Sequence, residues 1–193
     1  MGAFKQPHGG ELKELYLPEH KADEEKHKAS EYPSWDLTPR QLCDRDLLLN
    51  GAFSPLEGFL SQADYEEVCD KMRLESGVLW PIPVTLDISE EFADGISIGD
   101  TIALRDVEGV LIATMDVTDK WTPDKKKEAR RVFGTTDDAH PGVDYLYHRA
   151  GEVYLGGRVH GIEPPTFYDF KLLRDSPSEL RGRFRKLGWR KVV

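Results

Sequence analysis

GDTIALRDVEGVLIATMDV, at residues 99–117, is the stretch that decides the fold. Its two halves are rich in apolar and β-branched residues, which are typical of strands. Gly99-Asp100 is a turn signal, and Val107-Glu108-Gly109 lies between two apolar runs, as a hairpin connection does. The stretch therefore predicts two strands, at 101–106 and 110–117, joined by a tight turn.

The same β character extends on both sides of this hairpin. Residues 83–88 alternate apolar and polar side chains, and the β-rich run continues to Trp121. A further strand is predicted at 152–159, before Glu163-Pro164-Pro165 breaks the pattern. Short strands joined by tight turns favour a barrel or a sandwich.

Helix signals surround the predicted strands. The clearest helix begins at Thr38, where a capping threonine, a proline suited to the first helical position and Gln41 form a capping box, and it ends at Asn50-Gly51. Its predicted apolar face consists of Leu42, Leu47, Leu48 and Leu49. Further helices are predicted from Ser61 to Met72, from Thr122 to Phe133, from His140 to His148 and from Ser176 to Leu187. Residues 52–60 are apolar but contain proline and glycine, so we predict a packed loop there.

The two ends of the chain differ from this body. Residues 1–36 are weakly patterned, and Glu19–Ser30 reads as a solvated helix, a loop or a disordered segment. The helix at 176–187 carries an apolar stripe that it cannot stabilise alone, so the stripe must pack on the amino-terminal body, pair with another copy or stay exposed. Residues 189–193 predict the start of a buried strand.

Charge is spread unevenly along the chain. The net charge is −9, and residues 174–193 contain seven Lys or Arg against two Asp or Glu, a net of +5. The first 173 residues therefore carry −14. Because a sequence-independent nucleic-acid binder needs many cations to neutralise phosphates, we expect no nucleic acid as a partner.

Cysteine content and targeting signals indicate a cytoplasmic protein. Cys43 and Cys69 both lie in helix-like patterns, and we interpret them as small buried apolar residues, with a disulfide or a reactive thiol as the alternative. No run approaches the roughly 18 apolar residues that span a bilayer, and the first residues lack a signal peptide's apolar region. We therefore expect no membrane partner.

Few patterns in the sequence point to chemistry. A phosphate-binding P-loop is missing, and the glycine pair Gly156-Gly157 is better explained by close approach of two backbones than by nucleotide binding. No two histidines have the i, i+4 spacing of a metal site. His140 reads as a loop anchor rather than a ligand, and His160 as a structural histidine. Asp44 and Asp46 point to different faces of a helix, and Asp137-Asp138 reads as a solvated loop.

Several long sequence blocks resemble the amino-terminal domain of ATP sulfurylases (sulfate adenylyltransferases). The resemblance covers about residues 9–193, and the blocks that carry it are 37–44, 47–59, 79–87, 99–106, 132–143, 153–157, 168–170 and 189–193. It implies a PUA-like β-barrel domain with flanking helices, α+β in class, at 1–170. Residues 171–193 would be a linker and the first helix and strand of a missing α/β nucleotidyltransferase domain.

The resemblance also implies an activity for the complete enzyme. That activity is adenylyl transfer from ATP, with magnesium, to sulfate, giving adenosine 5′-phosphosulfate and pyrophosphate in sulfate assimilation or sulfur metabolism. The family's catalytic motifs, a Gln-Thr-Arg-Asn run before His-x-x-His and a later Gly-Arg-Asp, do not occur in this chain. We therefore assign no catalytic, cofactor-binding or metal residue here, and no cofactor to this chain.

Two interpretations of function stay open. In the first, the chain is a truncated ATP sulfurylase that is inactive alone and supports a catalytic domain in cis or in trans, or a homo-oligomer. In the second, it is a standalone PUA-like module that binds RNA or a protein. The acidic body argues against RNA, and the end of the chain inside an apparent strand argues for truncation.

Overall fold

A computed structural model of the chain describes residues 5–165 and 168–192. Its contacts divide the chain into two units. Unit 1 contains the described residues of Met1–Glu57, Ala103–Thr114 and Val159–Val193. Unit 2 contains Gly58–Ile102 and Met115–Arg158.

The described residues form a mixed sheet with helices. The strands are β1 (Ser34–Asp36), β2 (Gly58–Phe59), β3 (Leu86–Ile88), β4 (Thr101–Arg105), β5 (Leu111–Trp121) and β6 (Val153–Gly161). Neighbours in the sheet follow the order β1-β4-β5-β6-β2, and β3 also pairs with β6. The α+β class is therefore confirmed, whereas closure of the sheet into a barrel stays a prediction.

Helices account for most of the remaining regular structure. They are α1 (Glu19–Lys28), α2 (Pro39–Leu49), α3 (Gln62–Lys71), α4 (Glu90–Asp94), α5 (Lys125–Glu128), α6 (Pro141–His148) and α7 (Pro177–Lys186). A π-helical turn at Ala129–Phe133 continues α5, and a 3-10 turn lies at Lys171–Leu173. The weakly patterned segment at 19–30 is thus mostly helix.

In unit 1, α2 and a parallel strand pair form the core. Strand β1 pairs in parallel with β4, with Trp35 opposite Leu104. The predicted capping box is present, since Thr38 Oγ1 accepts from the Gln41 N–H and the Gln41 side chain accepts from the Thr38 N–H. The buried face of α2 differs from the predicted one and consists of Gln41, Arg45, Leu48 and Leu49.

In unit 2, β6 organises the packing. Strands β2 and β3 both pair antiparallel with it. The π-helical turn and α6 enclose a small buried cluster of Ala129, Val143, Leu146 and Ala150. Lys120 on β5 donates from Nζ to the carbonyl oxygens of Ala93 and Ile96, at 3.1 and 2.7 Å, and so binds the carboxyl end of α4.

Several local predictions are wrong. Residues 58–59 form β2 rather than belonging to a loop, and α4 was not predicted. Helix α5 is capped by Asp124, which accepts from two backbone N–H groups, and not by Thr122. Cys43 is exposed, because it lies on the face of α2 opposite the buried residues, while Cys69 is buried as predicted.

The predicted terminal strand is also wrong within the described residues. Residues 189–192 have no strand structure, and Val193 lies outside the described part of the chain. Trp189 and Val192 are half exposed, at 52% and 50%. A strand needs neighbours to complete its ladder, and these residues have no strand pairing.

Substitution of Gly157 tests the close packing of β6. A Cβ atom on Gly157 would overlap the carbonyl oxygen of Asp116 on β5. Backbone atoms cannot yield as a flexible side chain can, so Gly157→Ala should lower the free energy of unfolding by at least about 2 kcal/mol. Urea denaturation measures this change.

Gly95→Ala is the matched control in the same unit. Gly95 has a φ of −85°, and a Cβ there would meet only the Phe92 carbonyl oxygen, at an ordinary 3.6 Å. We expect its free energy of unfolding to stay within about 0.5 kcal/mol of the parent. Equal effects of the two substitutions would contradict this account of β6.

Candidate functional site

His140, singled out in the sequence, and His148 have structural partners. His140 caps α6, because its Nδ1 accepts from the Gly142 N–H at 3.2 Å, and its ring lies 5.2 Å from that of Phe133. It therefore anchors the loop, as predicted. His148 lies 3.1 Å from Asp144 on the same exposed helix. Neither arrangement contains a nucleophile or a second acid.

The acidic pairs do not form catalytic dyads. Asp44 pairs with Arg40, at 2.6 Å, and Asp46 lies 2.7 Å from Arg45, so the two carboxylates have different partners. The Arg45 and Asp46 atoms are close enough for an ion pair but are not aligned for a hydrogen bond. Burial raises the pKa of Asp46, and the charge of Arg45 opposes that shift. Asp137 accepts from the Ala139 N–H at 3.0 Å, as a loop residue does.

The glycine pair and the cysteines have no catalytic geometry. A Cβ on Gly156 would lie 2.5 Å from the Leu60 carbonyl oxygen, so close approach of two backbones, as predicted, explains the pair. Both cysteines are free. Burial, together with the negative charge of Glu128, raises the pKa of Cys69 to about 12. The Cys69 thiol is therefore protonated at neutral pH and is a poor nucleophile.

Neither a metal-ligand cluster nor a membrane-spanning helix is found among the described residues. Among residues 5–165 and 168–192, no three or more His, Cys, Asp or Glu side chains come together as metal ligands. In the described part of the chain, no helix combines the length and apolar character that crossing a membrane requires.

The candidate site is instead a surface near the carboxyl end, in unit 1. Between residues 168 and 192 the structure exposes a concentration of large apolar side chains. We call these residues the C-terminal surface, and they are Tyr168, Phe170, Leu172, Leu173, Leu180, Leu187, Trp189 and Val192. Leu172 and Leu173 are 93% and 79% exposed. Apolar side chains this concentrated and exposed mark an interaction site more often than an ordinary protein surface.

Polar contacts hold α7 in place and leave its apolar residues outside. Ser176 and Glu179 form a capping box at its start. Ser178 donates to Glu14 at 2.8 Å, and Arg181 donates to the Lys5 carbonyl oxygen at 2.5 Å. Leu180, by contrast, is 37% exposed. The helix is therefore docked on the amino-terminal segment mainly through hydrogen bonds, and its apolar stripe is only partly buried.

An aromatic stack follows α7. The rings of Phe184 and Trp189 are stacked, with centroids 5.8 Å apart and planes inclined by 27°. They line a shallow, open groove of about 600 Å³ together with Gly188, Arg190, Lys191 and Val192. Aromatic and cationic side chains thus lie side by side in this groove, which suits a partner with an acidic and apolar surface.

Comparison with known proteins assigns this architecture to a family. Residues 5–164 match the model of the PUA-like domain, and the chain belongs to that family.

Its relatives include fungal sulfate adenylyltransferases. The chain is 48% identical to that of Eremothecium gossypii over 97% of its own length, and 47% identical to that of Schizosaccharomyces pombe over 86%. It spans only 37% and 34% of those two proteins. A solved structure of a hexameric APS kinase from Thiobacillus denitrificans matches 98% of the chain with a TM-score of 0.76 and 33% identity, and the match covers 33% of that protein.

The pKa of Glu179 tests how α7 is held. This pKa lies below the ordinary value of 4.5, chiefly because the carboxylate accepts a hydrogen bond from the Ser176 N–H, at 2.8 Å. A lowered pKa in the folded state stabilises α7 above the unfolded value, and that stabilisation is lost as pH falls through the folded pKa. We expect NMR titration to give a pKa below 4.5 for Glu179 and lower amide protection factors, corrected for intrinsic exchange, in α7 at acid pH.

Glu179→Gln provides the control. Glutamine can still accept the hydrogen bond in a capping box but does not titrate. The amide protection factors of α7 in this variant should not show that fall at acid pH. A pKa at or above 4.5 for Glu179 in the parent chain would show that the capping box does not form in solution.

Proposed function

We propose that this chain is the amino-terminal domain of an ATP sulfurylase and that it supports the catalytic domain without performing the reaction. One observation carries the proposal: 97% of the chain aligns at 48% identity with a sulfate adenylyltransferase of which it spans 37%. The chain thus corresponds to one part of a larger enzyme. The activity of the complete protein would be transfer of adenylyl from ATP to sulfate.

The chemistry of that reaction would lie outside this chain. Holding sulfate and a triphosphate while charge develops at phosphorus requires a cluster of cationic donors. The catalytic motifs that supply them in the family do not occur in this sequence. We therefore place ATP and magnesium on the catalytic domain. In this proposal residues 1–170 form the PUA-like domain, with its sheet closed as a barrel, and 171–193 begin the catalytic domain.

The C-terminal surface gives this chain its role. It would be the contact for the rest of the catalytic domain, either in the same polypeptide or supplied in trans. A homo-oligomer is a further proposed assembly, and the hexameric state of the APS kinase that shares this fold supports it. Leu172 and Leu173, which are 93% and 79% exposed, would be covered in the complete protein.

An assay of pyrophosphate release tests the assignment of catalysis. The chain alone, with ATP, magnesium and sulfate, should give no sulfate-dependent turnover. A complete fungal relative, assayed in parallel, should be active and shows that the conditions support the reaction. Sulfate-dependent release of pyrophosphate by the chain alone would overturn the proposal that catalysis lies elsewhere.

A standalone binding module is the second candidate. The feature that favours it is the groove beside Trp189, where an exposed indole is flanked by Arg190 and Lys191, since aromatic and cationic side chains together bind single-stranded nucleic acid. The −14 charge of the first 173 residues opposes it, because that charge repels a polyanion.

Titration with labelled RNA separates the two candidates. We expect no submicromolar affinity for single- or double-stranded RNA at physiological salt, because net positive charge is confined to residues 174–193 and the rest of the chain is strongly acidic. Substituting Trp189→Ala should leave whatever weak binding occurs unchanged. Submicromolar affinity that depends on Trp189 would favour the standalone module.

A further inference from the structure

A buried carboxylate lies among aromatic rings in unit 2. Glu128, at the end of α5, is 6% exposed, and its Oε2 accepts hydrogen bonds from Tyr65 at 2.8 Å and from Tyr154 at 3.1 Å. The rings of Tyr65, Trp121 and Tyr154 contact one another, with centroid distances of 5.6 to 5.8 Å. Burial and the charge of Glu128 raise the pKa of Tyr65, so its hydroxyl remains a donor at physiological pH.

Trp121 contributes a donor that these contacts leave unsatisfied. Its side chain is 93% buried, as its exposed fraction is 7%, and its indole Nε1 has no hydrogen-bond partner among the described residues. A buried donor without an acceptor costs about 1–3 kcal/mol, so a native structure rarely leaves one alone.

The same tryptophan lines a small cavity. The cavity measures about 60 Å³, and its walls include Tyr65, Cys69, Trp121, Asp124 and Glu128. A water molecule takes up about 30 Å³ in the liquid, so the space suits about two waters and is too small for a nucleotide or a sugar. Trp121, whose Nε1 lacks a partner, and the buried carboxylate residue Glu128 both line it.

Charge and hydrogen bonding select the kind of occupant. Glu66, Asp124 and Glu128 line the cavity against a single Lys127, which disfavours an anion. A cation would leave the Trp121 N–H without an acceptor, and the described residues contain no cluster of metal ligands. A small neutral molecule that both accepts and donates hydrogen bonds satisfies both requirements.

We propose that this cavity is a binding site for one or two ordered water molecules, one of which accepts from Trp121 Nε1 and links it to the acidic wall around Glu128. The water would join β5, which carries Trp121, to the α3–α5 contact that Tyr65 and Glu128 make. Buried waters of this kind typically make about three hydrogen bonds to otherwise unsatisfied groups. Unit 2 would thus have a hydrated polar centre rather than a dry one.

A crystal structure of the chain that resolves ordered water tests the site. We expect an oxygen at roughly 2.7–3.2 Å from Trp121 Nε1, within the cavity. Trp121→Phe should lose that oxygen because the donor is gone. Trp80→Phe is the matched control, since Trp80 is also a buried tryptophan of unit 2 but does not line the cavity, and it should retain the oxygen.

Xenon provides a measurement that needs no variant. Xenon enters dry apolar cavities, so crystals of the parent chain under xenon pressure should show none at this site. Xenon density there would overturn the proposal. So would a metal ion coordinated by Glu128, a map without density in the cavity, or a rotated Trp121 whose Nε1 donates to a protein acceptor.

Discussion

Strand β6 depends on the absence of side chains at two consecutive positions. A Cβ atom at Gly156 would press on the Leu60 carbonyl oxygen, and one at Gly157 on the Asp116 carbonyl oxygen. Because backbone atoms occupy the space on both sides, no other residue fits without moving a neighbouring segment. The close approach of β5, and of the segment that follows β2, to β6 depends on this constraint.

Local signals predicted much of this fold. The capping box at Thr38, the helix starts at His140 and Ser176 and the hairpin around residue 108 each depend on a few adjacent residues, and all of them are present. These features can be predicted from the sequence because their hydrogen bonds join residues two to four positions apart.

Features that depend on distant contacts were not predicted. In the sequence, nothing distinguishes Glu128 from other charged helix residues. It becomes a buried acceptor only because Tyr65 and Tyr154 approach it from other parts of the chain. Gln41 and Arg45 were not predicted to be buried either, because both are polar. Their spacing places them on the same face of α2 as Leu48 and Leu49, and that whole face is buried. The segment at 189–192 shows the opposite case. Its composition predicted a buried strand, but Trp189 and Val192 are half exposed.

These findings connect the fold with the proposed function through the C-terminal surface. The family assignment rests on the match of residues 5–164, whereas the C-terminal surface lies beyond it, between 168 and 192. An exposed apolar segment beside a folded body is typical of a surface that binds a partner. We propose that this segment docks the rest of the catalytic domain.

Binding of the chain to a separately produced partner tests that claim most directly. The partner is the part of the Eremothecium gossypii sulfate adenylyltransferase that this chain does not cover, and sedimentation measures the complex. We predict a complex that Leu172→Ser combined with Leu173→Ser weakens at least about tenfold, a change of about 1.4 kcal/mol, and that Val107→Ser, at another exposed apolar position, leaves unchanged. No complex, or equal affinity for the parent chain and the double variant, would contradict the account.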